Sequence, residues 1–134
     1  IESSLIADAS SSSSLRARDP AIGMWQMKKG AATDMGLVVN GSVDERYDWK
    51  LATDGGLKYI SWLRDSFDGD YNLAILAYNV GIGSVKRAIK RTGTRNAWYL
   101  SKLLEDGHAG RVYLSRYYGY YVTMIAHGVC KNEK

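Results

Sequence analysis

The chain opens on a polar stretch and then settles into helically spaced apolar positions. Its first twenty residues are serine-rich, with an unbroken run from Ser10 to Ser14 followed by Leu15-Arg16-Ala17-Arg18-Asp19-Pro20. Such a stretch buries little, so residues 8–20 read as a serine-rich loop. Pro20 disfavours helix in the residue before it. A helix is predicted from about Trp25 to Met35, stopping at Gly36, with a connection over 40–48. Asp48 suits the N-cap of the next helix. There Ala52, Gly56, Tyr59, Ile60, Leu63 and Phe67 recur at three- and four-residue steps, the stripe of a core-facing helix. Asp68-Gly69-Asp70 ends that helix and starts another.

From Asp70 to Asn79 the apolar residues Leu73, Ala74, Ile75, Leu76 and Ala77 are continuous. Alanine and leucine favour a buried helix over a central strand. Gly81 and Gly83 are expected to break it. Val85, Ala88 and Ile89 then mark a short helix with Lys86, Arg87, Lys90 and Arg91 outside. Ala97 to Glu105 reads as a short helix and Gly110 to Val129 as a long, tyrosine-rich one. No strand-like alternation or internal repeat interrupts this pattern, so the predicted class is mainly α.

Composition narrows the picture only a little. At 134 residues, 46% hydrophobic and 24% charged, the chain suits one ordinary globular domain with a proper core. No apolar run approaches the roughly 18–20 residues that span a bilayer. The N-terminus lacks the basic stretch and apolar core of a signal peptide. A net charge of +4 favours acidic partners, including an anionic polymer. Cys130 is the only cysteine, so it can build neither an internal disulfide nor a zinc cluster, and His108 and His127 lack metal-ligand spacing. No metal or organic cofactor is expected. Only Lys86, Arg87, Lys90 and Arg91 form a basic cluster, and few aromatics interleave them, which speaks against nucleic-acid binding.

Three short segments suggest chemistry. Glu2 lies between Ile1 and Leu5, where an apolar setting could raise a carboxyl pKa enough for proton donation near neutral pH. Taken alone it reads as a solvated residue at a chain end. Gln26 stands within Gly23-Met24-Trp25-Gln26-Met27, an otherwise apolar segment where an amide must find partners, either a ligand or backbone. Met24, Trp25 and Met27 taken alone suit a core. Tyr78 and Asn79 follow the apolar run and precede Gly81. Asparagine can donate and accept, and tyrosine offers a flat face with a hydroxyl. The plainer reading makes Tyr78 a core residue and Asn79 a C-cap.

In this order, Ile1-Glu2-Ser3-Ser4-Leu5, Gly23-Met24-Trp25-Gln26-Met27 and Ala77-Tyr78-Asn79-Val80-Gly81 resemble the Glu-Ser, Gly-Leu-Met-Gln and Ala-Tyr-Asn-Ala-Gly motifs of the soluble lytic transglycosylase family, glycoside hydrolase family 23. Asp44-Glu45-Arg46-Tyr47-Asp48 also looks like the family, especially its membrane-bound type D branch. The resemblance runs from Glu2 to about Ile89 and more weakly to Tyr113. It implies a lysozyme-like, single-domain fold of 1–134 with a substrate cleft where the Glu2 segment, the Gln26 segment and the Tyr78-Asn79 turn converge. It further implies non-hydrolytic cleavage of the β-1,4 bond between N-acetylmuramic acid and N-acetylglucosamine in peptidoglycan, leaving 1,6-anhydromuramic acid ends. Glu2 would be the catalytic acid and then base. Ser3, Gln26, Met27, Tyr78, Asn79 and Tyr113 would bind substrate. The expected setting is a monomer in the periplasm or envelope of a bacterium, or one delivered there by a phage, with glycan strands as partner and no membrane segment in this chain.

The sequence also departs from the family. Only Ile1 precedes Glu2, whereas the family places its glutamate near the end of a helix, so the chain is expected to lack its N-terminal helix. The stretch from Glu2 to Gly23 is longer than usual. Lys28-Lys29-Gly30 replaces the usual proline after the glutamine motif, and the Glu-Thr pair before the tyrosine is missing near Tyr113. Asp8, Asp19, Asp34 and Asp44 are candidate second carboxylates, none assignable to catalysis. One that reached the site would allow hydrolysis like that of goose-type lysozyme. A glycan-binding domain without turnover is the reading of a different class.

Overall fold

A computed structural model describes residues 19–104, 117–119 and 122. The described part is mainly α-helical. Its helices are α1 (Lys29–Asp34), α2 (Trp49–Ser66), α3 (Tyr71–Val80), α4 (Ile82–Thr92) and α5 (Ala97–Leu104), with one 3₁₀ turn at Glu45–Tyr47. The only extended pairings among the described residues are two isolated antiparallel bridges, Ile22 with Met27 and Val39 with Asp44. The chain divides into two compact units, Ile1–Trp62 and Leu63–Lys134.

Local chemistry sets most helix boundaries. The Asp48 carboxylate accepts from the backbone N–H groups of Lys50 and Leu51, capping α2 as its sequence predicts. Asp70 does the same for α3 through Leu73 N–H at 3.0 Å. Asn96 caps α5 through Tyr99 N–H, also at 3.0 Å. Gly93 closes α4 in the left-handed conformation that only glycine adopts without strain. Helix α1 starts differently. Lys28 offers no cap, and Asp19, ten residues upstream, accepts from Lys29 N–H at 2.9 Å.

The first unit is built around Met27, Ala32 and Leu37, all buried, with Trp25, Ala31, Met35, Val39 and Tyr59 packed against them. Gly55 and Gly56 of α2 make this packing possible. A Cβ on Gly55 would run into the Leu37 side chain, and one on Gly56 into the Trp25 indole. In the second unit α3 packs on both α4 and α5, which pack on each other. Leu73 to Ala77 are buried without a break, as expected for a helix apolar on most sides. Val85, Ala88, Ala97 and Leu100 supply the facing side chains. Each fully buried leucine here contributes on the order of 1.5–3 kcal/mol relative to exposure.

Two boundaries differ from the sequence reading. The predicted helix over 25–35 begins only at Lys29, because Trp25, Gln26 and Met27 belong to a tight turn. Gly83 does not break a helix. It sits inside α4, and the break is made by Gly81 alone. Of the predicted last helix, residues 117–119 and 122 are described and helical. Most of that helix, with residues 8–18 of the serine-rich loop predicted at 8–20, lies outside the described residues.

Candidate active site

The Gln26 segment is a six-residue reversal. Ile22 and Met27 exchange both backbone hydrogen bonds, at 3.1 and 3.2 Å, so the chain folds back on itself. Gly23 and Gln26 each carry a positive φ, 77° and 48°. Glycine adopts that region readily, but glutamine pays roughly 1–2 kcal/mol of steric strain there. The turn offsets part of this strain through one acceptor. The Gly23 carbonyl receives both the Gln26 backbone N–H at 3.0 Å and the Gln26 side-chain amide at 2.8 Å. The backbone partner anticipated for Gln26 is therefore present, and it shapes the turn.

This reversal sorts the motif's side chains. Trp25 turns toward α2, where its indole N–H donates to the Thr53 hydroxyl at 3.1 Å and its ring lies over Gly56. Thr53 in turn donates to the Trp49 carbonyl. Met27 points into the core and is 3% exposed. Met24 and Gln26 are half-buried.

Arg46 holds the reversal in place, and sequence reasoning missed it. The residue is 5% exposed. Its guanidinium grips the Asp44 carboxylate with two bonds, from Nε at 2.9 Å and Nη2 at 2.7 Å. Nη1 donates to the carbonyls of Pro20 at 3.0 Å and Met27 at 3.1 Å. The planar fork can serve carboxylate and carbonyls together, which a lysine could not do. Glu45 adds a second tie, accepting Val38 N–H and donating its own N–H to the Val38 carbonyl. The sole signal in sequence was the family resemblance of Asp44–Asp48, since a two-residue Asp–Arg spacing says nothing about burial.

Arg46 also decides what Asp44 can do. Chiefly through its hydrogen bond, it holds the Asp44 carboxyl below the usual carboxylate range, against the opposing effect of burial. An aspartate so held stays ionised and cannot act as a proton donor near neutral pH. Asp19 is engaged at the start of α1.

In the second unit Tyr78 and Asn79 occupy the last turn of α3, not a loop after it. Gly81 ends α3, donating its N–H to the Ala77 carbonyl at 2.8 Å, and also precedes α4. Its φ of 87° lets one residue join two helices. The C-cap is therefore Gly81 and not Asn79. Tyr78 is half-buried and Asn79 exposed. Gln26 and Met27 thus belong to the first unit, and Tyr78 and Asn79 to the second. Glu2, Ser3 and Tyr113 lie outside the described residues.

A family model described as the transglycosylase SLT domain matches residues 1–101. The chain belongs to this family. The matched range takes in the Glu2, Gln26 and Tyr78-Asn79 segments of the SLT domain together. Membrane-bound lytic murein transglycosylase D of Escherichia coli K12 is 36% identical over 75 residues, 56% of this chain and 17% of that protein. The peptidoglycan transglycosylase gp16 of Escherichia phage T7 is 41% identical over 63 residues, 46% of this chain and 5% of that protein. The chain therefore spans only a small part of the length of either relative. No helix among its described residues is long and apolar enough to cross a membrane.

Proposed function

We propose that this SLT domain is a peptidoglycan lytic transglycosylase that cuts between N-acetylmuramic acid and N-acetylglucosamine and leaves 1,6-anhydromuramic acid ends. The observation that carries the reading is the family match over 1–101, which spans the motif segments in order. The names of the Escherichia coli and T7 relatives support the same substrate.

In this mechanism Glu2, as the neutral acid, gives its proton to the glycosidic oxygen as the anomeric C–O bond breaks. The 6-hydroxyl of the same muramic acid attacks the anomeric carbon and returns its proton to the Glu2 carboxylate. The acid is regenerated and no water is consumed. Because the nucleophile belongs to the substrate, attack is intramolecular and enjoys a high effective concentration. One carboxyl group suffices for both proton transfers. Ser3, Gln26, Tyr78, Asn79 and Tyr113 are the substrate-binding set, while Met27, expected among them, is buried in the core. Within that set Gln26, half-buried on its reversal, meets sugar hydroxyl or N-acetyl groups. Exposed Asn79 and half-buried Tyr78 present an amide and a ring from the end of α3. The site of action is the bacterial envelope.

The test is a digest of purified peptidoglycan with this chain and with Glu2→Gln, read by mass spectrometry. Muropeptides lighter by one water than hydrolytic products, and absent with the variant, are expected. Reducing ends instead would refute the transglycosylase chemistry in favour of a hydrolase. Binding without any product would refute turnover.

A further inference from the structure

Charge in this protein is strongly segregated. Between Tyr71 and Leu104 there are six lysines and arginines and no aspartate or glutamate. That stretch, comprising α3, α4 and α5, carries +6, while the rest of the chain carries −2. Four of the six cations, Lys86, Arg87, Lys90 and Arg91, are exposed on α4. At about 100° per residue they fall within one arc of about 140° on the helix. Val85 and Ala88 are buried on the other side. Among the described residues none of these four cations pairs with a carboxylate. The described ion pairs are Arg46–Asp44, Lys58–Asp54, Arg64–Asp65 and Arg95–Asp68. The Lys86 ammonium instead lies 6.0 Å from the Phe67 ring centroid, and Arg87 donates to Ser84.

Solvated helix faces ordinarily mix charge signs, and one-sign faces repel themselves. An unbalanced face is useful when it raises the local concentration of an oppositely charged partner. Its position selects that partner. Helix α4 follows the Tyr78-Asn79 turn of α3 after a single glycine, so the cations stand next in the chain to the proposed sugar-binding groups.

We infer that the α4 face is a docking surface for the free carboxylates of peptide stems on the glycan strand, outside the disaccharide being cut. This rests on the proposed function for its choice of polymer. The face holds stem-bearing, carboxylate-rich wall and gives no advantage on neutral or stem-free glycan. Four adjacent exposed cations acting together make the interaction additive over many stems and sensitive to salt.

The test uses the full chain carrying Glu2→Gln, co-sedimented with intact sacculi, against the same chain with Lys86→Gln, Arg87→Gln, Lys90→Gln and Arg91→Gln. Glutamine keeps helix propensity while removing charge, and unchanged far-UV circular dichroism confirms folding. Neutralisation is expected to weaken binding roughly tenfold or more at low salt and to flatten its salt dependence. Amidating the sacculus carboxylates with carbodiimide and an amine should weaken the parent to the same degree. With Glu2 intact, the four-fold variant should still cut stem-free glycan at the parent rate. Equal sedimentation of variant and parent would overturn the inference, as would tighter binding to phosphatidylglycerol vesicles than to sacculi, which would assign the face to a membrane surface. Sedimentation does not require turnover, so failure of the Glu2 chemistry is read separately in the digest.

Discussion

Arg46→Met keeps much of the side-chain volume and removes every guanidinium bond. Asp44 loses both side-chain hydrogen bonds from Arg46 and keeps only the Arg46 backbone N–H at 3.1 Å. The Pro20 carbonyl loses its Arg46 donor, while Met27 still accepts from Ile22 N–H. Removing one member of a buried pair costs roughly 3–5 kcal/mol, mostly through the charge left behind. The lower end applies, because the Asp44 side chain is 21% exposed and water can reach it. A loss of about 3 kcal/mol corresponds to a melting temperature lower by about 10 °C for a chain of this size. Urea unfolding followed by circular dichroism measures the loss directly. Adding Asp44→Asn removes the stranded charge and is expected to recover about 1 kcal/mol, a positive coupling in a double-mutant cycle. A loss below about 1 kcal/mol for Arg46→Met, or strict additivity in the cycle, would refute the view that this pair anchors the Gln26 reversal.

The same pair fixes an acid limit. The Asp44 carboxyl is lowered on folding, so its contribution is fully present above the ordinary aspartate value of about 3.9 and is lost as pH falls through its lower folded value. Stability measured down the acid limb should show this loss in the parent and lack it in Asp44→Asn. Gly56→Ala drives a methyl into the Trp25 indole, which Thr53 holds, and should destabilise by about 1–2 kcal/mol even after the gain in helix propensity. Gly55→Ala meets only the end of a leucine and should be closer to neutral, so equal effects would contradict this packing. At Gln26 glycine should be more stable than alanine by about 1 kcal/mol, because both lose the amide bond and only alanine keeps the left-handed strain. Denaturation midpoints for the two variants decide this, and alanine equal to glycine would mean the turn is relaxed.

Much of the fold was legible along the chain because its causes are local. The stripe from Ala52 to Phe67, the carboxylates at Asp48 and Asp70 and the continuous run from Leu73 to Ala77 each act within a helical turn or two. Their spacing alone therefore determined where α2 and α3 begin and which side chains they bury. The order of the motif segments likewise determined the family. Tertiary structure decided the remainder. Met24-Trp25-Gln26-Met27 has the composition of a helix start, yet it reverses. Trp25 finds Thr53 and Gly56 about thirty residues on, and Arg46 ties the Met27 and Pro20 carbonyls from 19 and 26 residues away. Those contacts outweigh the strain in Gln26, and nothing in the local pattern reports them. Burial of Arg46 is of the same kind: the charge is tolerable inside only because three distant or bent-back acceptors converge on one planar group, and convergence is a property of the folded chain.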